Sequence, residues 1–331
     1  MFGINKLYIE PTSRCNLNCK MCFRNNWFNE KCETMDSQTV NNVLEILKTD
    51  ICDNVFFGGM GEPLICKDIY NMVFAAKKGG KKTELITNAT LLDMSTSKML
   101  IESGLDTLWV SMDGFSKEIY ENIRAGSIYE KITKNLECFS NIKAHTKLGI
   151  TFVMTKENMS ELDNINDFCD KYNVDFINLS HVVPSIATPL ENSIYDLSYR
   201  IGKMSRFDKN EVFQKERDVC PFVKGDMCFI RFDGEVTACM QLLHNSYTYL
   251  YDEKRKINAY SFGNINKNSL AEIWFGKEYS NFRKRVLDFD FPCCTVCLGC
   301  DYRLENLTDC MYNEEPTCGA CLWAQGLIRC P

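Results

Sequence analysis

Histidine is scarce in this chain. The 331 residues hold only His145, His181 and His244, and none has a second histidine at ligand spacing. Mixed Cys/His zinc sites are therefore disfavoured. Long apolar runs are also missing, and no stretch reaches the ~20 residues that a membrane span needs. The N-terminus, MFGINKLYIEPTSRC, lacks a basic segment followed by an apolar one, so no secretory signal is expected and the cytoplasm is the expected location. There is no excess of positive charge: the net charge of −6 argues against a nucleic-acid partner gripped through its phosphates. Low-complexity segments and short internal repeats are absent too. The remainder, 45% hydrophobic and 25% charged, is ordinary for a globular chain long enough for one core and a smaller appendage.

Cysteine, by contrast, is abundant, with 19 in all. A reducing cytosol keeps thiols out of disulfides, so this many thiolates point to metal. Cys15, Cys19 and Cys22 form one group, and eleven more crowd into residues 220–331. The five between them (Cys32, Cys52, Cys66, Cys138 and Cys169) are scattered singly and read as small core or surface residues. With so little histidine, sulfur-only iron–sulfur sites are the favoured kind.

Residues 6–183 alternate short apolar runs with longer amphipathic stretches. The runs are KLYIEP (6–11), NVFFGG (54–59), TELITN (83–88), TLWVSM (107–112), GITFVM (149–154) and DFINLSHVV (175–183). They hardly alternate, as expected of parallel strands buried on both faces. Helical patterns lie between them at 36–48, 67–80 and 160–172, with Asp36 or Ser37 as a cap and Gly79–Gly80 as a stop. Six β–α units without hairpin signals imply a parallel α/β sheet, either doubly wound or a partial barrel. Residues 184–219 turn polar and irregular and read as a bridge. After Cys220 come strand-like pieces and one helical stretch at 269–289. From Cys293 onward little regular structure is suggested, so bound clusters are expected to organise that segment.

Directly after the first run stands Cys15-Asn-Leu-Asn-Cys19-Lys-Met-Cys22. Three thiolates at C-x3-C-x2-C spacing can hold three corners of a cubane and leave its fourth iron open for an outside ligand. A zinc site, or a cluster completed by a distant fourth cysteine, is the alternative. Gly58-Gly59-Met60-Gly61-Glu62-Pro63 follows the second run, where glycines let backbone approach a ligand at the carboxyl end of a strand. A plain tight turn would read the same. Asn88, Ser111 and Asp113 end the third and fourth runs, and Arg124 lies in ENIRAG, where a solvated helix residue is the alternative.

The C-x3-C-x2-C run resembles the motif of the radical S-adenosylmethionine (SAM) superfamily, with Met21 where the family usually has an aromatic residue. The resemblance implies a partial (β/α)6 TIM-like barrel. It also implies a [4Fe–4S] cluster on Cys15, Cys19 and Cys22 whose open iron chelates SAM. Gly59, Met60, Gly61 and Glu62 would then form the family's GGE loop at the SAM amino group. Ser111 and Arg124 would contact the carboxylate or ribose, with Asn88 and Asp113 in the same pocket. One electron breaks the C–S bond of SAM, and the resulting 5′-deoxyadenosyl radical abstracts hydrogen from a substrate. Cys220-x13-Gly234-x4-Cys239 resembles the opening of the SPASM motif, which implies two auxiliary [4Fe–4S] clusters, with Cys228 as an extra ligand. The closing half departs from that motif. It reads Cys294, Cys297, Cys300, Cys310, Cys318, Cys321 and Cys330, with Cys293 adjacent. Two cubanes need eight thiolates and eleven are present, so the pairing, a third cluster and a paired-zinc reading stay open.

Over nearly its whole length the chain resembles the tungsten cofactor oxidoreductase radical SAM maturase family, in KLYIEPTSRCNLNCKMCFRNNW, FFGGMGEPL, LITNATLL, LWVSMDGF and CGACLWAQGLIRCP. Ala89 replaces the glycine of a typical TNGTLL. The resemblance implies maturation of a tungsten-containing aldehyde ferredoxin oxidoreductase or its cofactor. Modification of a ribosomally made peptide is the alternative, and with the cluster motif starting at Cys15 an N-terminal peptide-recognition domain is not expected unless another protein supplies it. A non-catalytic electron carrier would need neither an open iron nor a SAM pocket. Expected partners are a protein or peptide substrate and an electron donor such as ferredoxin or flavodoxin. Oxygen-sensitive clusters imply an anaerobic host.

Overall fold

The computed structural model describes residues 3–184, 219–250, 253–297, 299–314, 316–326 and 328. Almost all of the expected bridge, and Cys330, lie outside these residues. Six parallel strands match the six apolar runs within two residues at each end: β1 (Ile4–Ile9), β2 (Cys52–Phe57), β3 (Lys82–Thr87), β4 (Thr107–Ser111), β5 (Lys147–Met154) and β6 (Phe176–His181). Between them run α1 (Ser37–Leu47), α2 (Ile69–Lys78), α3 (Met94–Glu102), α4 (Lys117–Ile123), α5 (Tyr129–Ile142) and α6 (Ile165–Lys171). Asp36 caps α1 by accepting the Thr39 N–H at 2.8 Å, and Asp93 caps α3 in the same way through Thr96.

The strand order β1-β2-β3-β4-β5-β6 decides what periodicity left open. Each connection moves one place in the same direction. Right-handed crossovers then put every helix on one face, and the sheet curls as a barrel does. A doubly wound sheet would reverse its order at a switch point. The sheet is open, and this corrects one expectation. Along β1 to β4 fully buried residues such as Leu7, Val55, Leu85 and Leu108 alternate with half-buried Tyr8, Phe56, Glu84 and Trp109. Only the helix-covered face is sealed. On the other face Lys6 pairs with Glu84 at 2.6 Å, and the Trp109 indole donates to Glu84 at 2.7 Å. Gly149 is required there, because a Cβ would stand 2.2 Å from the Trp109 ring.

Residues from Cys220 onward extend the same sheet. A short α7 (Pro221–Lys224) leads into β7 (Met227–Ile230), which pairs in parallel with β1. β8 (Glu235–Thr237) and a two-residue β11 (Gly263–Asn264) continue it antiparallel. Between them lies a hairpin of β9 (Ser246–Leu250) and β10 (Glu253–Ile257). The single helical stretch expected at 269–289 is two helices, α8 (Leu270–Phe275) and α9 (Lys277–Leu287), parted at Gly276. A Ser269–Glu272 capping box starts α8. A second apolar cluster of Phe222, Phe229, Leu243, Leu322 and Trp323 packs among the C-terminal cysteines.

Candidate active site and cluster sites

The carboxyl ends of β3 to β6 and the loops that follow β1 and β2 line one cavity of about 250 Å³. One wall carries Cys15, Cys19 and Cys22, whose thiols act electrostatically on one another. Burial pushes Cys19 up to about 11 and raises Cys15 as well, so a metal would have to displace their protons. The loop carrying them is held from several sides. Arg24 donates to the Ser13 and Leu17 carbonyls at 3.2 and 3.0 Å, and Asn25 to the Cys19 carbonyl at 3.0 Å. Asn18 and Lys20 donate backbone N–H groups to Ala125 and Ile123, which places Arg124 beside the motif.

Gly59, Met60, Gly61 and Glu62 form the next wall. A Cβ on Gly61 would lie 2.2 Å from the Thr12 carbonyl, so the loop can rest against the cluster segment only as glycine. The buried Glu62 carboxylate accepts the Thr87 hydroxyl at 2.7 Å and the Asn88 N–H at 2.7 Å, tying this loop to the end of β3. Burial outweighs these bonds and raises its pKa. Asn88 donates to Asn16 at 3.0 Å and to the Cys15 sulfur at 3.6 Å. Ser111 and Arg124 line the cavity, and the buried Arg124 Nε has no acceptor within the protein.

Asp113 stands one layer back from the cavity. Its carboxylate pairs with Arg124 at 2.7 Å and accepts the Val153 N–H at 2.7 Å, so it meets the site only through that guanidinium. Among the lining residues that escaped the sequence reading are Val153, His181, Met240 and Trp323. His181 ends β6, and the strand-end rule that picked out Asn88 and Ser111 would have found it. Nothing local marks Met240 or Trp323.

The C-terminal cysteines separate into groups. Cys220, Cys239, Cys318 and Cys321 converge: the charges of the other three all bear on Cys318, and those of Cys220 and Cys321 on Cys239. The Val219 N–H donates to the Ala324 carbonyl at 3.2 Å, bringing the first of these segments beside the last. Burial drives Cys220 up to about 12 and raises the other three. Cys294 lies near Cys297 and Cys310, and its N–H donates to the Gly319 carbonyl at 3.1 Å. Between these groups is the buried Arg255, which feels the charge of Cys294, Cys318 and Cys321, and whose Nε donates to the Arg303 carbonyl at 2.9 Å. Cys228 belongs to neither group. It is fully buried on β7, hydrogen-bonded to Tyr279 and near Cys52.

Among the described residues no three His, Cys, Asp or Glu side chains approach closely enough for a single metal ion. A cubane holds its thiolates farther apart, and all-sulfur donor groups suit it. The orphaned Arg124 Nε and the glycine-built wall fit an organic ligand with acceptor groups beside such a cluster.

Comparison with known proteins agrees with this geometry. Residues 9–169 match the Radical SAM superfamily, and residues 220–301 match the iron–sulfur cluster-binding domain SPASM. The chain is 33% identical to the tungsten-containing aldehyde ferredoxin oxidoreductase cofactor-modifying protein of Pyrococcus furiosus, across 98% of this chain and 96% of that protein. A probable GTP 3′,8-cyclase of Sulfurisphaera tokodaii is 28% identical across 55% of this chain and 57% of that protein. The fold is that of Streptococcus suis SuiB bound to S-adenosylmethionine, with a TM-score of 0.63, 19% identity, and coverage of 91% of this chain and 71% of that one. Native anSMEcpe with bound AdoMet and Cp18Cys peptide gives a TM-score of 0.60 at 19% identity, over 91% and 88% of the two chains. The partial barrel, the cysteine-lined cavity at its carboxyl end and the full-length relationship place this chain in the radical SAM superfamily, as an enzyme that uses SAM and [4Fe–4S] clusters and bears a SPASM domain for auxiliary clusters.

Proposed function

We propose that this enzyme acts in the maturation of a tungsten-containing aldehyde ferredoxin oxidoreductase or its cofactor. The observation that carries this reading is the 33% identity to the Pyrococcus furiosus cofactor-modifying protein across nearly the whole of both chains. When bound and reduced by one electron, the cluster supplies cleavage of SAM to methionine and a 5′-deoxyadenosyl radical.

The remaining work falls to this chain. Cys15, Cys19 and Cys22 hold the SAM-cleaving cluster. Gly59, Met60, Gly61 and Glu62 offer backbone to the SAM amino group. Ser111 and Arg124 receive its carboxylate or ribose, and Asp113 orients Arg124. Asn88 donates towards the Cys15 sulfur. Cys220, Cys239, Cys318 and Cys321 hold one auxiliary cluster, and Cys294, Cys297, Cys310 and Cys300 the other. Cys228 is left out of this set because it is packed against Tyr279, and Cys330 lies outside the described residues. The unit of residues 1–183 thus carries the SAM chemistry and residues 220–331 the auxiliary clusters. Val153, His181, Met240 and Trp323 line the space left for substrate.

The electron comes from a donor such as ferredoxin or flavodoxin, and the enzyme works in the cytoplasm of an anaerobic host. Among the described residues no helix is long and apolar enough to cross a membrane. The second reading is modification of a ribosomally made peptide; it is favoured by Met240 and Trp323, which bring apolar surface from the SPASM side to the cavity. Anaerobic formation of 5′-deoxyadenosine, with and without an unmatured tungsten oxidoreductase from the same cell, separates the two. A clear rise with that partner supports maturation. Turnover indifferent to it moves the reading to a peptide.

A further inference from the structure

A buried chain of charges joins the C-terminal domain to the loop beneath the SAM cavity. His244 follows Cys239 by five residues and is fully buried. Its Nε2 lies 2.9 and 3.1 Å from the two carboxylate oxygens of Glu10, the residue after β1. Its Nδ1 lies 2.9 Å from Glu30, in the segment after the cluster motif. Glu10 in turn accepts the Met60 N–H at 2.8 Å, and a Cβ on Gly59 would stand 2.6 Å from that carboxylate. Glu30 is held in place by the backbone and side-chain amides of Asn245 at 2.8 and 2.7 Å.

A neutral imidazole carries one N–H and one lone pair. With a carboxylate at each nitrogen, a neutral ring would set its lone pair against an anionic oxygen. Only the imidazolium satisfies both contacts. Burial works against that charge, but Glu10 and Glu30 outweigh it and raise His244 to about 9. Trp27 stacks on the ring at 4.2 Å, with Phe232 at 6.2 Å, and aromatic faces favour a cation. Arg231 also bears on the two carboxylates, and it is paired with Asp233 at 2.6 Å.

We infer that His244 is a positioning residue for SAM: as an imidazolium clamped between Glu10 and Glu30, it fixes the Glu10 carboxylate and through it the backbone of the Gly58–Glu62 loop. The inference rests on the reading that this loop holds SAM. The SPASM side of the molecule thereby contributes to SAM affinity through a side chain that never touches SAM. A structural histidine elsewhere in the core would give no pH dependence to SAM affinity.

The test measures the SAM dissociation constant of the cluster-loaded enzyme, anaerobically, from pH 6 to 10, with iron content followed in parallel. Wild-type affinity should hold below pH 8 and fall as pH rises through about 9, where the clamp loses its proton. His244→Gln should bind SAM ~10-fold more weakly, without that step, and His244→Lys should recover part of the loss. Glu30→Gln is the milder variant. Removing one carboxylate should move the step to lower pH while iron content stays unchanged. Gly61→Ala serves as the control on the loop, because its Cβ would strike the Thr12 carbonyl. If Gly61→Ala weakens SAM binding and the His244 and Glu30 variants leave affinity and its pH profile untouched, the clamp is wrong. If Gly61→Ala also binds SAM normally, the reading of the loop falls, and the inference with it.

Discussion

Arg124 and Asp113 form a buried ion pair, with Nη2 2.7 Å from Oδ2, in which Arg124 lines the cavity and Asp113 stands behind it. Asp113 spends its other oxygen on the Val153 N–H, so the guanidinium is held against the end of β5 rather than left to solvent. Removing one partner of such a pair leaves an uncompensated charge in the interior. Asp113→Asn should therefore lower unfolding free energy by ~3 kcal/mol. It should also weaken SAM binding ~10-fold by freeing Arg124. Urea unfolding and equilibrium SAM binding read the two effects separately. A variant with full stability and affinity would mean that Arg124 needs no orienting partner.

Iron content tests the cysteine groups. Cys318→Ser or Cys321→Ser should each remove about four irons per chain, the content of one cubane. Cys228→Ser should leave iron content unchanged, since that thiol is packed under Tyr279. Iron loss in Cys228→Ser would return it to the ligand set and displace one of the proposed four.

Asn88 donates towards the Cys15 sulfur at 3.6 Å. Hydrogen bonds to cluster sulfurs favour the reduced form and raise the potential. Asn88→Ala should thus shift the SAM-site cluster to a more negative potential, measured without SAM by redox titration followed by electron paramagnetic resonance. An unchanged or more positive potential would show that the contact does not tune the cluster.

Ala89 takes φ 59°, the left-handed region that suits glycine, while fully buried and with its carbonyl bonded by Asn135 at 2.8 Å. Alanine pays ~1 kcal/mol for that conformation. Ala89→Gly should stabilise the fold by about that amount in urea unfolding, with the site unchanged. Destabilisation would show that the methyl packs better than the backbone strain suggests.

Local chemistry made much of this protein legible from its residues in order. Apolar runs located β1 to β6, Asp36 marked the start of α1, and C-x3-C-x2-C after a strand marked the three thiols on the cavity wall, because each signal spans only a few residues of chain. Gly59, Gly61 and Glu62 were picked out by the same short-range logic, and all three line the cavity. Strand order was beyond reach, since a β–α repeat has the same period whether the sheet winds one way or two. So were the half-open face of the sheet, Arg255 between the thiol groups, and Asp113 standing behind Arg124 rather than in the cavity. Only tertiary structure could bring Cys220 and Cys239 to Cys318 and Cys321, or His244 to Glu10 across 234 residues. Packing of β7 beside β1 makes those meetings, and no short-range pattern encodes a contact whose two halves are free to vary apart in the chain.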